Sequence, residues 1–363
     1  MKALFLGAPT VAMALERDRN NFAVIRLALA IAVVVSHAFS VTTGAVTDEP
    51  LAASTGFTLG EHAVNGFFAI SGFLVTMSFD RRGWRDYAIA RTLRIAPGLI
   101  VATLVVAFLL GGGMTRLPVT DYWQSPGVFR FVGATLSSFK SNIALPGVFE
   151  NNPFTFPMGT VWTLKYEVLC YLGVLVLGLV GLLRSRLAAL VLPVGLALAL
   201  LSLGLFRPEI PKGVETALRL PLIFAFGGAL YVWRYKARLS GPLLAILFAA
   251  TWLASGTVLY KTLLFIVSAY GVLWLALASA LTRWSYEPKT DLSYGTYLYG
   301  WPIQQSLHAL LPAAAPLVLL APALLITLVV AAVSWVIVEK PALALKAKAL
   351  RRRTLKVTEP AAP

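Results

Sequence analysis

Ten apolar stretches divide this chain, at approximately 22–42, 62–79, 88–110, 160–182, 187–205, 217–233, 240–256, 260–281, 292–311 and 315–338. The hydrocarbon core of a bilayer is about 30 Å thick, which takes about 20 helical residues to cross. Inside lipid every backbone N–H and C=O must find a partner within the protein, so apolar runs of this length read as helices. The expected fold is therefore an all-α, polytopic membrane helical bundle of about ten transmembrane helices. Composition agrees: 58% of the 363 residues are hydrophobic and only 13% are charged, unlike a soluble globule. The single cysteine, Cys170, cannot form an internal disulfide, and three histidines do not make a zinc site.

Charge placement gives the orientation, because cytoplasmic loops concentrate Lys and Arg. With the amino terminus placed in the cytoplasm, inner segments hold twenty-two basic residues, among them Arg81, Arg82, Arg85, Arg184, Arg186, Arg234 and Arg238. Outer segments hold seven: Arg116, Arg130, Lys140, Arg207, Lys212, Arg219 and Lys261. An even number of spans then puts both termini in the cytoplasm. The net charge of +15 faces anionic membrane lipids, which argues against nucleic acid as a partner. Residues 1–19 read as a cytoplasmic arm with room for an interfacial helix, since Glu16-Arg17-Asp18-Arg19 does not suit a signal peptide. Residues 20–345 form the membrane domain and 346–363 a basic tail. The long outer connection 111–159 carries Tyr122, Trp123, Phe129, Phe131, Phe139, Phe149, Phe154 and Phe156. That is too apolar for a plain linker, and we expect it to pack as a lid over the outer face, or as a structural cap.

Polar residues inside spans are expensive and mark sites. In the first span Arg26 and His37 are eleven residues apart, about 1100° of rotation and about 16 Å of rise, so they share a face. Span 2 carries Asn65 near the depth of His37, with Ser71 and Gly72 further in; its small residues permit close helix approach. Span 3 starts with Arg91 and Arg94, which at i,i+3 share a face. With Arg26 they place three guanidinium forks, suited to phosphate, at the inner mouth; positive-inside anchoring is the alternative. Span 4 begins Trp162-Thr-Leu-Lys165-Tyr-Glu167, which puts Glu167 at a depth close to His37. A carboxylate beside an imidazole suits a general base and its orienting partner, a role open to Glu167 or Asn65. Lys165 or Trp162 could donate to a developing oxyanion, unless Lys165 and Glu167 form only a structural polar patch. Span 9 begins Asp291-Leu-Ser-Tyr294, and Tyr294 joins Ser71 in the candidate donor-binding set. Glu339, at the inner end of span 10, is available to an inner arginine.

Six phrases, in order along about residues 20–345, resemble the acyltransferase-3 family of integral membrane O-acyltransferases. They are the Arg26/His37 pair in NNFAVIRLALAIAVVVSHAF, FFAISGFLV (67–75), Arg91-x-x-Arg94-x-x-Pro97, VWTLKYEVLCYL (161–172), DLSYGTYLYGWPIQQ (291–305) and SWVIVEKPAL (334–343). The resemblance implies that His37 is the catalytic histidine and Arg26 its partner arginine. It makes Arg91 and Arg94 the paired arginines of the third span and Glu167 the family's acid. It implies transfer of an acyl group, usually acetyl from cytoplasmic acetyl-CoA, to a hydroxyl of an extracytoplasmic or lipid-linked glycan, in the bacterial inner membrane and without a metal. Some members carry a fused periplasmic hydrolase-like domain, and nothing of that size follows residue 345. The expected partners are acetyl-CoA, the glycan acceptor and membrane lipids, with homo-oligomerisation open. Succinyl or another acyl group, and a glycan or lipid transporter without acyl transfer, are the competing expectations.

Overall fold

The computed structural model describes residues 7–17, 19–207, 209–282 and 290–345. The basic tail 346–363 and inner basic residues such as Lys2, Arg283 and Lys289 lie outside them. The principal helices are α1 Val11–Leu15, α2 Phe22–Thr43, α3 Leu59–Leu104, α4 Val119–Gln124, α5 Pro126–Ser138, α6 Trp162–Leu179, α7 Ala188–Phe206, α8 Lys212–Val232, α9 Gly241–Leu253, α10 Leu259–Leu277, α11 Ser293–Leu310 and α12 Pro316–Ser334. Among the described residues the only extended pairing is an isolated bridge between Thr10 and Arg238. The protein is all-α.

Among the described residues, seven helical stretches are long and apolar enough to cross a membrane. One of them, Leu59–Met114, has 56 residues, about 84 Å of helix and far more than one crossing requires. It is interrupted at Gly83, whose φ of 76° lies in the left-handed region that glycine tolerates. That break falls between the stretches expected at 62–79 and 88–110. Helix α9 has 13 residues and falls short of a full crossing, while α11 coincides with the expected stretch at 292–311. Helix α8 begins at Lys212 and so takes in Arg219, which sequence placed with the outer flank; the structure buries it, 1% exposed.

The chain forms two compact units. The first comprises Met1–Leu29, Glu61–Trp84 and Tyr166–Lys289. Within it α3 and α8 meet backbone to backbone: a Cβ at Gly72 would lie 1.9 Å from the Phe224 carbonyl oxygen, and one at Gly227 2.2 Å from that of Ala69. The small residues of span 2 therefore serve the close approach their composition suggests. Phe73 fills the seam, its ring 5.9 Å from Phe22 and 5.6 Å from Tyr231. The amino-terminal arm docks here too, with Val11 and Ala14 buried and the Val11 N–H donating to the Ala237 carbonyl at 2.9 Å. At one end of this unit Arg219 pairs with Glu61 at 3.4 Å, and Lys261 with Glu215. Asp80 accepts from Tyr231 at 2.7 Å and from Arg234 at 3.3 Å.

The second unit comprises Ala30–Gly60, Arg85–Lys165 and Thr290–Pro363. Its core joins Leu99, Val106, Tyr122, Phe131, Leu145, Met158, Val161 and Leu298, so the connection 111–159 is a packed element rather than a tether. Its attachment follows from a local defect. Residues Val105–Leu110 form a π-helical turn, which shifts the regular hydrogen-bond ladder. The Tyr122 hydroxyl donates to the Ala107 carbonyl and the Trp123 indole to the Phe108 carbonyl. Burial pushes the Tyr122 hydroxyl up to about 12, so it stays a donor at physiological pH. Gly111 makes room, because a Cβ there would lie 1.9 Å from that hydroxyl.

Candidate active site

His37 stands on α2, which runs unbroken from Phe22 to Thr43, so Arg26 and His37 do share one helix at the expected spacing. The imidazole is half-buried and makes a T-shaped contact with Trp301, with ring centres 5.0 Å apart and planes at 86°. Trp301 belongs to α11, which is pressed against α2: a Cβ at Gly300 would lie 2.6 Å from Val34, and the Gln304 amide donates to the Val34 carbonyl at 2.7 Å. The indole is fixed from behind. Its Nε1–H donates to the Phe156 carbonyl at 2.9 Å, its ring stacks on that of Phe156 at 5.5 Å and 6°, and Gly159 lies against its face. Reciprocal bonds tie α11 to the entrance of α6: the Thr160 hydroxyl donates to the Tyr297 carbonyl at 3.1 Å, and the Tyr297 hydroxyl to the Thr160 carbonyl at 2.6 Å.

A second cluster in this unit surrounds Arg94. Its guanidinium pairs with Asp291 at 2.9 Å and lies 5.6 Å from the centre of the Tyr294 ring. The other Asp291 oxygen accepts from the Ser293 N–H at 3.3 Å and its hydroxyl at 2.6 Å, at the start of α11. The Tyr294 hydroxyl is committed to the Ile95 carbonyl at 2.8 Å, so this residue presents its ring. Arg91, one turn before Arg94, is half-buried. Glu339, expected to serve an inner arginine, accepts from Ser334 at 3.1 Å at the end of the π-helical turn Trp335–Glu339. Trp162 and Lys165 lie on the exposed side of the first turn of α6.

The first unit holds the remaining candidates. Arg26 is half-buried on α2. Asn65 is wholly buried, and neither amide atom has a hydrogen-bond partner among the described residues. Ser71 is half-buried beside Gly72. Glu167, on α6, accepts a hydrogen bond from the Tyr171 hydroxyl one turn later, and the Tyr171 ring is tilted against Phe224 at 6.3 Å. Cys170 lines an apolar cavity of about 200 Å³ with Leu169, Leu177, Phe224 and Val232. Thus the structure joins His37 to Trp301, Arg94 to Asp291 and Tyr294, and Glu167 to Tyr171. Trp301, Asp291 and Tyr171 were not among the sequence-derived candidates; only the i,i+4 spacing of Glu167 and Tyr171 was a local signal. Among the described residues no group of three or more His, Cys, Asp or Glu side chains is placed to hold a metal.

Fold and site together define an all-helical, multi-pass membrane protein with an imidazole held against an indole inside one unit. More specifically, the chain belongs to the acyltransferase-3 family, whose acyltransferase-domain model matches residues 19–338. It is 30% identical over 371 residues to "Nodulation protein 10" of Rhizobium leguminosarum bv. viciae, covering 92% of this chain and 96% of that protein. It is 25% identical over 303 residues to the "O-acetyl transferase" of Shigella phage Sf6, covering 79% and 85% respectively. No solved structure matches it.

Proposed function

We propose that this protein is an O-acyltransferase that moves an acyl group, acetyl from cytoplasmic acetyl-CoA, to a hydroxyl of an extracytoplasmic or lipid-linked polysaccharide or oligosaccharide. It spans the bacterial inner membrane ten times, with both termini in the cytoplasm. The observation that carries the reading is the His37 imidazole fixed against Trp301, in a chain whose family is acyltransferases and one of whose relatives is named an O-acetyl transferase.

His37 acts as the general base. It takes the proton from the acceptor hydroxyl as that oxygen attacks the thioester carbonyl. The tetrahedral intermediate collapses with cleavage of the C–S bond, and the imidazolium returns the proton to the departing thiolate, leaving an ester and free coenzyme A. A positioned base of this kind contributes about 10²–10⁴-fold, and Trp301 supplies the rigid wall that keeps the ring in place. Glu167, held by Tyr171, or the buried Asn65 sets the imidazole tautomer, and Lys165 or Trp162 steadies the oxyanion. Arg26, Arg91 and Arg94 take the donor phosphates, with Ser71 and Tyr294 beside them. Because Arg94 is paired with Asp291, donor phosphate competes with that carboxylate. Host glycans analysed by mass with and without the gene test the reading. Loss of acetyl-sized adducts supports it; a changed amount of unmodified exported glycan would support transport instead, and loss of larger adducts another acyl group.

A further inference from the structure

The segment Asn152–Phe156, at the end of the connection 111–159, is held more firmly than a loop requires. The Asn152 amide donates to both the backbone carbonyl of Gln305, at 2.9 Å, and its side-chain oxygen, at 2.7 Å. The Gln305 amide in turn donates to the Phe154 carbonyl at 2.8 Å and to that of Phe156 at 3.4 Å. Trp301 also bonds to the Phe156 carbonyl. Gln305 is wholly buried, so these bonds form away from water, where an unmade bond leaves a desolvated polar group without compensation. Just upstream, buried Phe149 has φ 57°, a left-handed conformation rarely adopted by a bulky residue and one that clusters where strain serves function. The strap is thus bent, latched and laid along the face of α11 that carries Trp301.

What it presents are two phenyl rings. Phe154 and Phe156 are half-buried, their ring centres 5.3 Å apart and their planes inclined at 48°; Phe156 stacks on Trp301, and Phe154 lies 5.6 Å from it. Trp301 is itself in edge contact with His37, so the aromatic surface is continuous with the wall of the base. We propose that this strap is the acceptor subsite, with Phe154 and Phe156 forming a platform for the apolar C–H face of a pyranose ring. The inference rests on the transferase reading above and specifies how its acceptor is held. A hydroxyl can lose its proton to His37 only within hydrogen-bonding reach, so the ring that bears it needs an ordered surface beside the imidazole. Small-molecule sites are lined mainly by apolar and aromatic side chains with a few placed polar groups, which suits the apolar C–H face and hydroxyl rim of a pyranose.

The test uses the full chain in detergent with two probes: acetyl-CoA, and host surface glycan isolated from a strain lacking the gene. Phe154→Leu/Phe156→Leu keeps apolar bulk and removes both rings. We expect glycan Kd and acceptor KM to rise at least about ten-fold (about 1.4 kcal/mol), with acetyl-CoA affinity unchanged. The aromatic variant Phe154→Tyr/Phe156→Tyr should restore both. An unchanged glycan Kd and KM in the leucine variant would overturn the platform, as would a loss that the tyrosine variant fails to restore. Should the double variant not fold, the two single leucine variants read the same quantities. Failure of the transferase reading is distinguishable: the wild-type chain would bind glycan and transfer nothing, while the leucine variant would still report on the platform through glycan Kd.

Discussion

Gly159→Ala probes the wall behind His37 without touching a polar group. A Cβ at this position would lie 2.4, 2.6 and 2.8 Å from three atoms of the Trp301 indole. Carbon atoms sit comfortably at about 3.5–4.0 Å, so the indole must move by about 1 Å. It cannot rotate away freely, because its Nε1–H is bonded to the Phe156 carbonyl, one face stacks on Phe156 and the ring makes a T-shaped contact with His37. Forcing a methyl group into such packing costs about 1–3 kcal/mol, which a folded protein can absorb. The effect on chemistry should be larger, since about 1 Å of misplacement can cost about 10²-fold in rate. The expected result is a folded, membrane-inserted protein whose acyl-transfer kcat falls about 100-fold while acetyl-CoA affinity is preserved. Gly173→Ala serves as the control: nothing lies within 4 Å of a Cβ there, and inside a helix alanine is favoured by about 1 kcal/mol. Wild-type turnover in Gly159→Ala at wild-type protein level would refute the idea that Trp301 positions the base.

Asp291→Asn retains an oxygen to accept from Ser293 and removes the charge paired with Arg94. If Arg94 takes the donor phosphate it no longer has to leave a carboxylate, and an ion pair of this partial exposure, worth about 1 kcal/mol, predicts about five-fold tighter acetyl-CoA binding by calorimetry; weaker binding would mean that Asp291 aims Arg94. Tyr122→Phe removes the donor that satisfies the Ala107 carbonyl in the π-helical turn. It should destabilise the purified protein by about 1–3 kcal/mol in denaturant titration, and an unchanged midpoint would show that the bond contributes nothing net.

Apolar run length made most of the helical layout legible, because it reports directly on what lipid demands of a backbone. Helices α2, α7 and α11 begin and end within a residue or two of the expected limits, and the break at Gly83 falls between two expected stretches. That 111–159 packs rather than tethers could be read from its aromatic residues, several of which enter the core. Partner choice was not legible. Arg94 and Asp291 are separated by almost two hundred positions, as are Gln305 and Asn152 by 153. Such pairings are settled by which helices pack together, and periodicity along one helix carries no information about that. The burial of Arg219 was not legible for a related reason: its partner Glu61 is 158 positions away. Trp301 looked like one more apolar residue of α11, and only its edge contact distinguishes it.

The central claim is that His37 performs the proton transfer and does not merely fill space against Trp301. Single-turnover acetyl transfer from radiolabelled acetyl-CoA to host glycan, measured in wild type and His37→Ala with donor binding followed in parallel, tests it most directly. The account predicts that His37→Ala binds acetyl-CoA with unchanged affinity and transfers at least about 100-fold more slowly, and that wild type quenched without acceptor carries no label on the ring. Transfer by His37→Ala at the wild-type rate, or a stoichiometric acetyl-imidazole on His37, would contradict it.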